Sequence, residues 1–302
     1  MHKYILAIET SCDDTGVAII DLQGKLISNI IARQFEIHAP YGGVMPVYAA
    51  QAHLGKLPCI AIQALQEAKI TSKEIIQIAY TEKPGLAGAL ITGKGFATGL
   101  AKSWHVPLLG INHLHAHSLS VTLEHDMKFP YLSLVVSGGN TLIHLVKSPI
   151  EIETINQTLD DAGGEVLDKI GRMLGLDWPG GPNVEKLAKK SSNKFKLPIP
   201  KCLSYSGLKS SALRAYQQGK ALPADIAFSL QHALFTSLIE QLELTMDATG
   251  ISQTAITGGV ACNATLRKYA SKLGSKFPSC IYCTDNAAMI ANAAYLIYLN
   301  SK

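Results

Sequence analysis

His113 and His117 stand four residues apart in Gly110-Ile-Asn-His-Leu-His-Ala-His-Ser-Leu119, a stretch that reads as a helix. Residues at i and i+4 share one helix face, so both imidazoles can reach a single metal ion. His115, two positions from each, points away from that face. No glutamate follows His113, so this is not the His-Glu-x-x-His pattern of zinc proteases and supplies no general base of that kind. Two structural histidines in one helix have the same spacing, and the pair takes its meaning from what surrounds it. Asp285, in Thr284-Asp-Asn-Ala287, stands where a closing helix begins and reads as its N-cap. It equally completes a two-histidine, one-carboxylate metal site with open positions.

Polar turns between apolar strands are the second kind of residue set that can do chemistry. Glu9-Thr-Ser-Cys-Asp-Asp-Thr15 joins the strands Tyr4–Ile8 and Gly16–Ile20. It can present backbone N–H groups and hydroxyls to phosphate, with Asp13 or Asp14 holding magnesium. An ordinary polar hairpin has the same composition. The design recurs in the second half, where Ser137-Gly-Gly-Asn-Thr141 joins strands 131–136 and 142–146, which suggests a duplicated half. Adjacent glycines there let bare backbone approach a ligand.

Other elements must hold these turns. Tyr41-Gly-Gly-Val-Met-Pro-Val47 leads into a helix with Ala49, Ala50, His53 and Leu54, where His53 reads as a satisfied helix histidine. A strand over 76–82 precedes a helix whose N-terminus after Pro84 can receive an anion, although the sequence lacks the P-loop spacing. Small residues at 85, 88, 89, 93 and 95 permit close helix–sheet approach, and Val106–Gly110 is a strand feeding the histidine helix. Asp160-Asp-Ala-Gly-Gly164 opens a helix with Val166, Leu167, Ile170, Met173 and Leu174 at helical spacing, and Glu165, Asp168 and Arg172 on another face. A carboxylate there can accept from a ribose hydroxyl, or simply belong to a solvated charged face. Trp178-Pro-Gly-Gly-Pro182 is a rigid loop with exposed backbone. A long helix spans 224–247, and strand Thr254–Thr257 runs through Gly258-Gly-Val-Ala-Cys-Asn263 into a helix from Ala264. A Gly-Gly turn between strand and helix is where doubly wound folds take a nucleoside, with Asn263 as a polar contact. Cys280-Ile-Tyr-Cys283 reads as a strand.

Composition narrows the class. The 302 residues suffice for two ordinary domains or one large one, and an apolar share of 47% is that of a soluble globular protein. A net charge of +4 permits a polyanionic partner without requiring one. Six lysines and no acidic residue between Lys186 and Lys201 form the basic stretch best suited to phosphate-backbone contact, or a solvated lysine face. Cysteines 12, 59, 202, 262, 280 and 283 lack framework spacing and predict reduced thiols in a cytosolic protein. The apolar run at the N-terminus is cut by Glu9, too early for a signal peptide or membrane span, and it lacks the character of a transit peptide.

Eight motifs in order resemble the tRNA adenosine threonylcarbamoyltransferases of the TsaD type, formerly labelled O-sialoglycoprotein endopeptidases or glycoproteases. They are Glu9-Thr-Ser-Cys-Asp13, Asn112-His113 with His117, Ser137-Gly-Gly139, Asp160-Asp-Ala with Gly164-Glu-Val-Leu-Asp-Lys169, Pro179-Gly-Gly-Pro182, Ser206-Gly-Leu-Lys209, Gly258-Gly-Val with Asn263, and Thr284-Asp-Asn-Ala287. The resemblance implies an α/β fold of the actin-like ATPase (ASKHA) type, with two duplicated lobes and a nucleotide and metal site in the cleft between them. The N-terminal lobe would span 1–115, with a closing helix over about 285–302 packed back on it, and the C-terminal lobe 116–284. It implies transfer of threonylcarbamoyl from threonylcarbamoyl-adenylate to the exocyclic amine of adenosine 37, beside the anticodon, in tRNAs reading ANN codons, with release of AMP. By motif, His113, His117 and Asp285 would hold one divalent metal, iron or zinc, with magnesium the alternative alongside a nucleotide. Val135, Val136, Ser137, Gly138, Gly139, Asp168, Gly181 and Asn263 would bind the adenylate, and Asp13 or Glu9 are the candidates to take the amine proton. Implied partners are tRNA, an actin-like paralogous subunit of the TsaB type and a small P-loop ATPase of the TsaE type, in a bacterial cytoplasm and without a membrane.

The chain departs from the family pattern in places. Lys83 replaces the first glycine of a Gly-Pro-Gly, Val47 and Gln51 stand where glutamate and arginine are common, His115 where an acid is common, and Asp14 where glutamate is usual. The segment before Ser204 is also short. Two alternatives fit less of the chain. A small-molecule carbamoyltransferase shares the histidine pair and nucleotide turns but carries accessory domains, and a non-catalytic actin-like subunit has no need of His113, His117 and Asp285.

Overall fold

Residues 5 to 9 of Tyr4–Glu9 (β1) are all buried, the signature of a central strand covered on both faces. The computed structural model describes residues 3–192 and 195–301, and it divides into two compact units, Met1–Asp126 with Thr284–Lys302, and Met127–Cys283. In the first unit β1 pairs antiparallel with Thr15–Asp21 (β2) and parallel with Ile75–Lys83 (β4). Leu26–Ala32 (β3) and Leu108–Asn112 (β5) complete the sheet in the order β3-β2-β1-β4-β5. After the short helix Phe35–His38 (α1), Pro46 opens the long helix Pro46–Ala68 (α2), where its fixed φ and missing N–H cost nothing. Leu57, Ile60 and Ala61 of α2 and Ala97 of Ala87–Trp104 (α3) join Leu6, Ile8, Val17 and Ile78 in one apolar core. From β5 the chain enters His113–Leu119 (α4) without a break.

The second unit repeats the strand plan. Tyr131–Val136 (β6) pairs antiparallel with Thr141–Ser148 (β7) and parallel with Thr254–Thr257 (β9), and Glu151–Gln157 (β8) lies on the outer side of β7. Its order, β8-β7-β6-β9, and strand senses match β3-β2-β1-β4. Around it stand Gly163–Met173 (α5), Gly180–Ala188 (α6), Ser206–Gln217 (α7), Pro223–Thr249 (α8), Ala264–Ala270 (α9) and Cys280–Cys283 (α10). Leu230, Leu234, Phe235 and Leu238 of α8 pack with Leu132, Leu134, Ile256, Val166 and Leu167.

The short stretch α10 corrects the strand expected at Cys280–Cys283. Tyr282 N and Cys283 N both donate to Ser279 O, at 2.9 and 3.1 Å, and the Cys283 thiol donates to Pro278 O at 3.3 Å. These local bonds curl the chain after Pro278 and leave no ladder to join. The chain then returns to the first unit with Ala287–Asn300 (α11), whose first eight residues are buried and which packs on β1 and β2. Asn292 Nδ2 donates to Leu119 O at 3.0 Å and to Thr122 Oγ1 at 2.8 Å. Residues 116–126 are thereby held in the first unit, and the division falls after 126 and not after 115. Among the described residues no helix is long and apolar enough to cross a membrane.

Candidate metal centre and nucleotide turns

Asn112 Oδ1 accepts from Leu114 N at 2.9 Å and His115 N at 3.2 Å, capping α4 and fixing its first turn. His113 and His117 leave that turn on one face, both buried, their rings edge-on with centroids 4.6 Å apart. At the start of α11 the cap is Asn286, whose Oδ1 accepts from Met289 N at 3.0 Å, and not Asp285 as its position suggested. Asp285 Oδ1 instead lies 3.1 Å from His117 Nε2 and 3.6 Å from His113 Nε2. One ligand atom from each of the three falls within 4.8 Å of the others, and no other such group occurs among the described residues. Behind the ring, His113 Nδ1 donates to Glu9 Oε2 at 3.2 Å. That bond holds a proton on Nδ1 and aims Nε2 at Asp285.

Burial works against charge on both imidazoles, but at His113 the carboxylates of Glu9 and Asp285 overcome it and push the pKa up to about 9. At His117 burial wins and the ring titrates below the ordinary imidazole range, so its lone pair is available at neutral pH. Burial would raise Asp285, yet His113 and His117 hold it at about 2. Two imidazole nitrogens, one ionised carboxylate and a carboxylate behind one ring fit a divalent cation of borderline softness.

Glu9 is fully buried and committed to other groups. Its Oε1 accepts from Ser11 N and its Oε2 from Thr81 Oγ1, each at 2.5 Å, besides the bond to His113. Asp13 and Asp14 are half-buried, and burial raises both. At Asp14 the charges of Asp13 and Asp285 add to burial and bring it to about 7, where a carboxylate can exchange a proton at neutral pH. Sequence reasoning had given Asp14 only a magnesium role.

In the second unit, Ser137 N donates to Asn140 O at 2.8 Å and Asn140 N to Ser137 Oγ at 3.1 Å, closing the turn whose Gly138 and Gly139 are exposed. Val135 and Val136 are buried in β6 and can offer a ligand only backbone. A Cβ on Gly164 would strike Ser137 O, and one on Gly258, at φ +87°, would strike the Val136 backbone. Glycine at both positions therefore lets the start of α5 and the end of β9 close on this turn. Asp168 and Gly181 come together, since Asp168 Oδ1 accepts from Gly180 N at 2.7 Å and Gly181 N at 3.3 Å. Asn263 spends its side chain on the fold. Its Oδ1 caps α9 through Thr265 N and Leu266 N, and its Nδ2 donates to Gln231 Oε1 at 2.9 Å. Sequence reasoning missed Gln231 and also Glu185, whose Oε1 accepts from Ala264 N at 3.2 Å. A cavity of about 220 Å³ adjoins them, lined by Glu185, Lys189, Phe228, Gln231, His232 and Tyr269. Helical spacing from Gly181 was the only signal that pointed to Glu185.

Residues 25–292 match the family model TsaD, tRNA N6-adenosine threonylcarbamoyltransferase. The tRNA N6-adenosine threonylcarbamoyltransferase of Thermosipho africanus is 42% identical over 312 residues, covering 97% of this chain and 94% of its own. That of Clostridium beijerinckii is 43% identical over 316 residues, covering 98% and 93%. Among solved structures, HypF of T. kodakarensis has a TM-score of 0.72 at 17% identity over 99% of this chain, which spans about half of HypF (48%). The activator of the 2-hydroxyisocaproyl-CoA dehydratase from Clostridium difficile, with bound ADPNP, has a TM-score of 0.57 at 13% identity, covering 100% of this chain and 97% of that one. These two likenesses bear on the fold alone, and they agree with the two-sheet α/β arrangement of actin-like ATPases. With a family model matched from 25 to 292 and relatives above 40% identity end to end, the chain belongs to the TsaD family of tRNA N6-adenosine threonylcarbamoyltransferases.

Proposed function

We propose that this protein transfers threonylcarbamoyl from threonylcarbamoyl-adenylate to the exocyclic amine of adenosine 37 in tRNAs reading ANN codons, releasing AMP. The observation that carries this reading is the convergence of the buried His113 and His117 with the half-buried Asp285 in a chain of this family. These three would hold iron or zinc, and a divalent cation bound there supplies Lewis-acid stabilisation of charge on the carbamoyl oxygen or the departing phosphate. Glu9 orients His113 by holding the proton on Nδ1, which leaves Nε2 as the nitrogen that would meet a cation. With Glu9 so committed, Asp13 is the better of the two expected proton acceptors, and Asp14 beside it has the pKa suited to passing that proton on.

In the second unit, the exposed backbone of Gly138 and Gly139, in the turn that Ser137 closes at the end of Val135 and Val136, receives the adenylate phosphate. Asp168 with Gly181 and Asn263 with Gln231 shape the nucleoside side, and the aromatic-lined cavity beside Asn263 takes the base. Lys186, Lys189, Lys190, Lys196 and Lys201 offer phosphate contacts to tRNA, while Lys194 of that stretch lies outside the described residues. An actin-like subunit of the TsaB type docks on α2 and α3, where Val47, Leu54, Ile62 and Ile91 are exposed and Gly55, Gly95 and Gly99 have open space at their Cβ positions. A TsaE-type ATPase completes the system. Substrates of this kind set the reaction in the cytoplasm.

The test supplies synthetic threonylcarbamoyl-adenylate, unmodified tRNA and purified partners, and measures threonylcarbamoyladenosine by mass spectrometry. Wild type is expected to form it, and His113→Ala and Asp285→Ala to lose about 100-fold or more together with their bound metal. Carbamoylation of a small acceptor without tRNA product would favour a small-molecule carbamoyltransferase. Silence with active partners would leave a non-catalytic subunit.

A further inference from the structure

Behind the Glu9–Asp14 turn the first unit holds a run of buried hydrogen bonds that no step above uses. Met45 N donates to His38 Nδ1 at 3.2 Å, and His38 Nε2 meets Gln34 Oε1 at 3.2 Å. Gln34 Nε2 reaches Thr15 Oγ1 at 3.3 Å and Ala49 O at 3.5 Å. Thr15 Oγ1 meets His53 Nδ1 at 2.8 Å, and His53 Nε2 meets Cys12 O at 3.0 Å. Thr15, Gln34, His38 and His53 are all essentially inaccessible to solvent.

The two ends dictate the direction of every bond between them. A backbone N–H can only donate and a carbonyl can only accept. Because Met45 N–H donates to His38 Nδ1, the His38 proton sits on Nε2 and goes to Gln34 Oε1. Gln34 must then present its amide nitrogen to Thr15, which passes its hydroxyl proton to His53 Nδ1. The His53 proton is left on Nε2, where Cys12 O accepts it. Burial also drives His53 below the ordinary imidazole range, in keeping with a neutral ring. One tautomer of each histidine and one orientation of Gln34 satisfy the run, and any other choice sets donor against donor or acceptor against acceptor.

Cys12 lies between Ser11, whose carbonyl accepts from Leu86 N at 2.8 Å, and Asp13. We propose that His53 is a positioning residue for the transfer reaction: it anchors the Cys12 peptide, and through it the carboxylates of Asp13 and Asp14, to a relay that begins at Met45. This role rests on the reading of Asp13 and Asp14 as the proton-handling pair. A buried neutral imidazole bonded at both nitrogens suits such a role, because it offers one donor and one acceptor at fixed places on a stiff helix. Losing the anchor lets the turn shift, and displacements on the order of 1 Å cost up to about 100-fold in rate.

Two measurements on the full chain test the proposal. Long-range 1H–15N spectra of histidine-labelled protein, assigned with His38→Gln and His53→Gln, should show both rings as the neutral Nε2–H form. An Nδ1–H form at either position overturns the relay, whatever the activity. In the tRNA assay with partners, His53→Leu should lower kcat by about 10- to 100-fold, with KM for threonylcarbamoyl-adenylate and metal content unchanged. His53→Gln, whose amide nitrogen can reach Cys12 O, should recover most of the rate, and His38→Leu, remote from the turn, should show a smaller loss of the same kind. Equal rates for the Leu and Gln variants, or a loss confined to KM or metal content, overturn the positioning role. A wild type that never transfers defeats the functional reading itself, and with it the role of His53, while the tautomer spectra still decide whether the relay exists.

Discussion

His113 answers to two carboxylates at once, and that conflict makes its metal chemistry depend on pH. Without a cation, Glu9 and Asp285 outweigh burial and keep the ring protonated up to about 9. The folded pKa lies above the ordinary 6.5, so the stabilisation from this pairing is complete below 6.5 and is lost as pH rises through about 9. A cation must displace that proton, so its affinity should climb with pH, by up to about tenfold per unit, and level off near 9. Calorimetric titration with Zn²⁺ at several pH values between 6.5 and 9 checks this, and an affinity flat across that window would rule it out. Asp285, held at about 2, contributes no change over the same range.

Helix caps carry much of the order at the level of elements. Asn112, Asn263 and Asn286 each accept from backbone N–H groups at the start of α4, α9 and α11; Asn112 and Asn286 adjoin His113 and Asp285, and Asn263 is itself a candidate site residue. An asparagine before an apolar helical run is a local signal, visible in the chain before any fold is known. Which neighbour does the capping is not always visible, as Asp285 and Asn286 demonstrate. Asn263→Ala removes the α9 cap and leaves the buried Gln231 oxygen without its donor. The expected cost is about 2 kcal/mol, roughly half from the cap and half from the stranded oxygen, measured as a lower urea midpoint at unchanged slope. A change under about 0.3 kcal/mol would mean that Asn263 is kept for ligand contact alone.

Across the whole molecule, the matching order of strands in the two units places a polar turn after the first strand of each, Glu9–Asp14 after β1 and Ser137–Asn140 after β6. The two turns differ in chemistry, one carrying carboxylates and the other bare backbone. The exposed apolar residues of α2 are a feature of the same scale, because Leu54 at 71% exposure and Ile62 at 58% contribute nothing to the core beneath them. Leu54→Glu and Ile62→Glu should therefore leave thermal unfolding nearly unchanged while weakening association with an actin-like partner about tenfold or more, read by sedimentation. Unchanged association would remove α2 from the partner surface.

Much of this protein was determined by the order of its residues alone. Apolar runs, glycines and asparagines act over a few neighbours, and so β1, β2, β6, β7, β9 and the long helices could be read directly. The four-residue spacing of His113 and His117 put both on one face by helix geometry. The tertiary structure decided what those residues touch. It brought Asp285 to His117 from 168 positions away, set Glu9 behind His113, and drew Asn263 into Gln231. It joined His53 to the Cys12 carbonyl across 41 positions. β3 and β8 also became strands only by pairing, since neither carries a clean alternation of buried and exposed residues. The physical reason is common to all of these. Hydrogen-bond partners, and the burial that shifts a pKa from its ordinary value, are set by which distant segments the fold makes neighbours, and residue type and spacing do not contain that information.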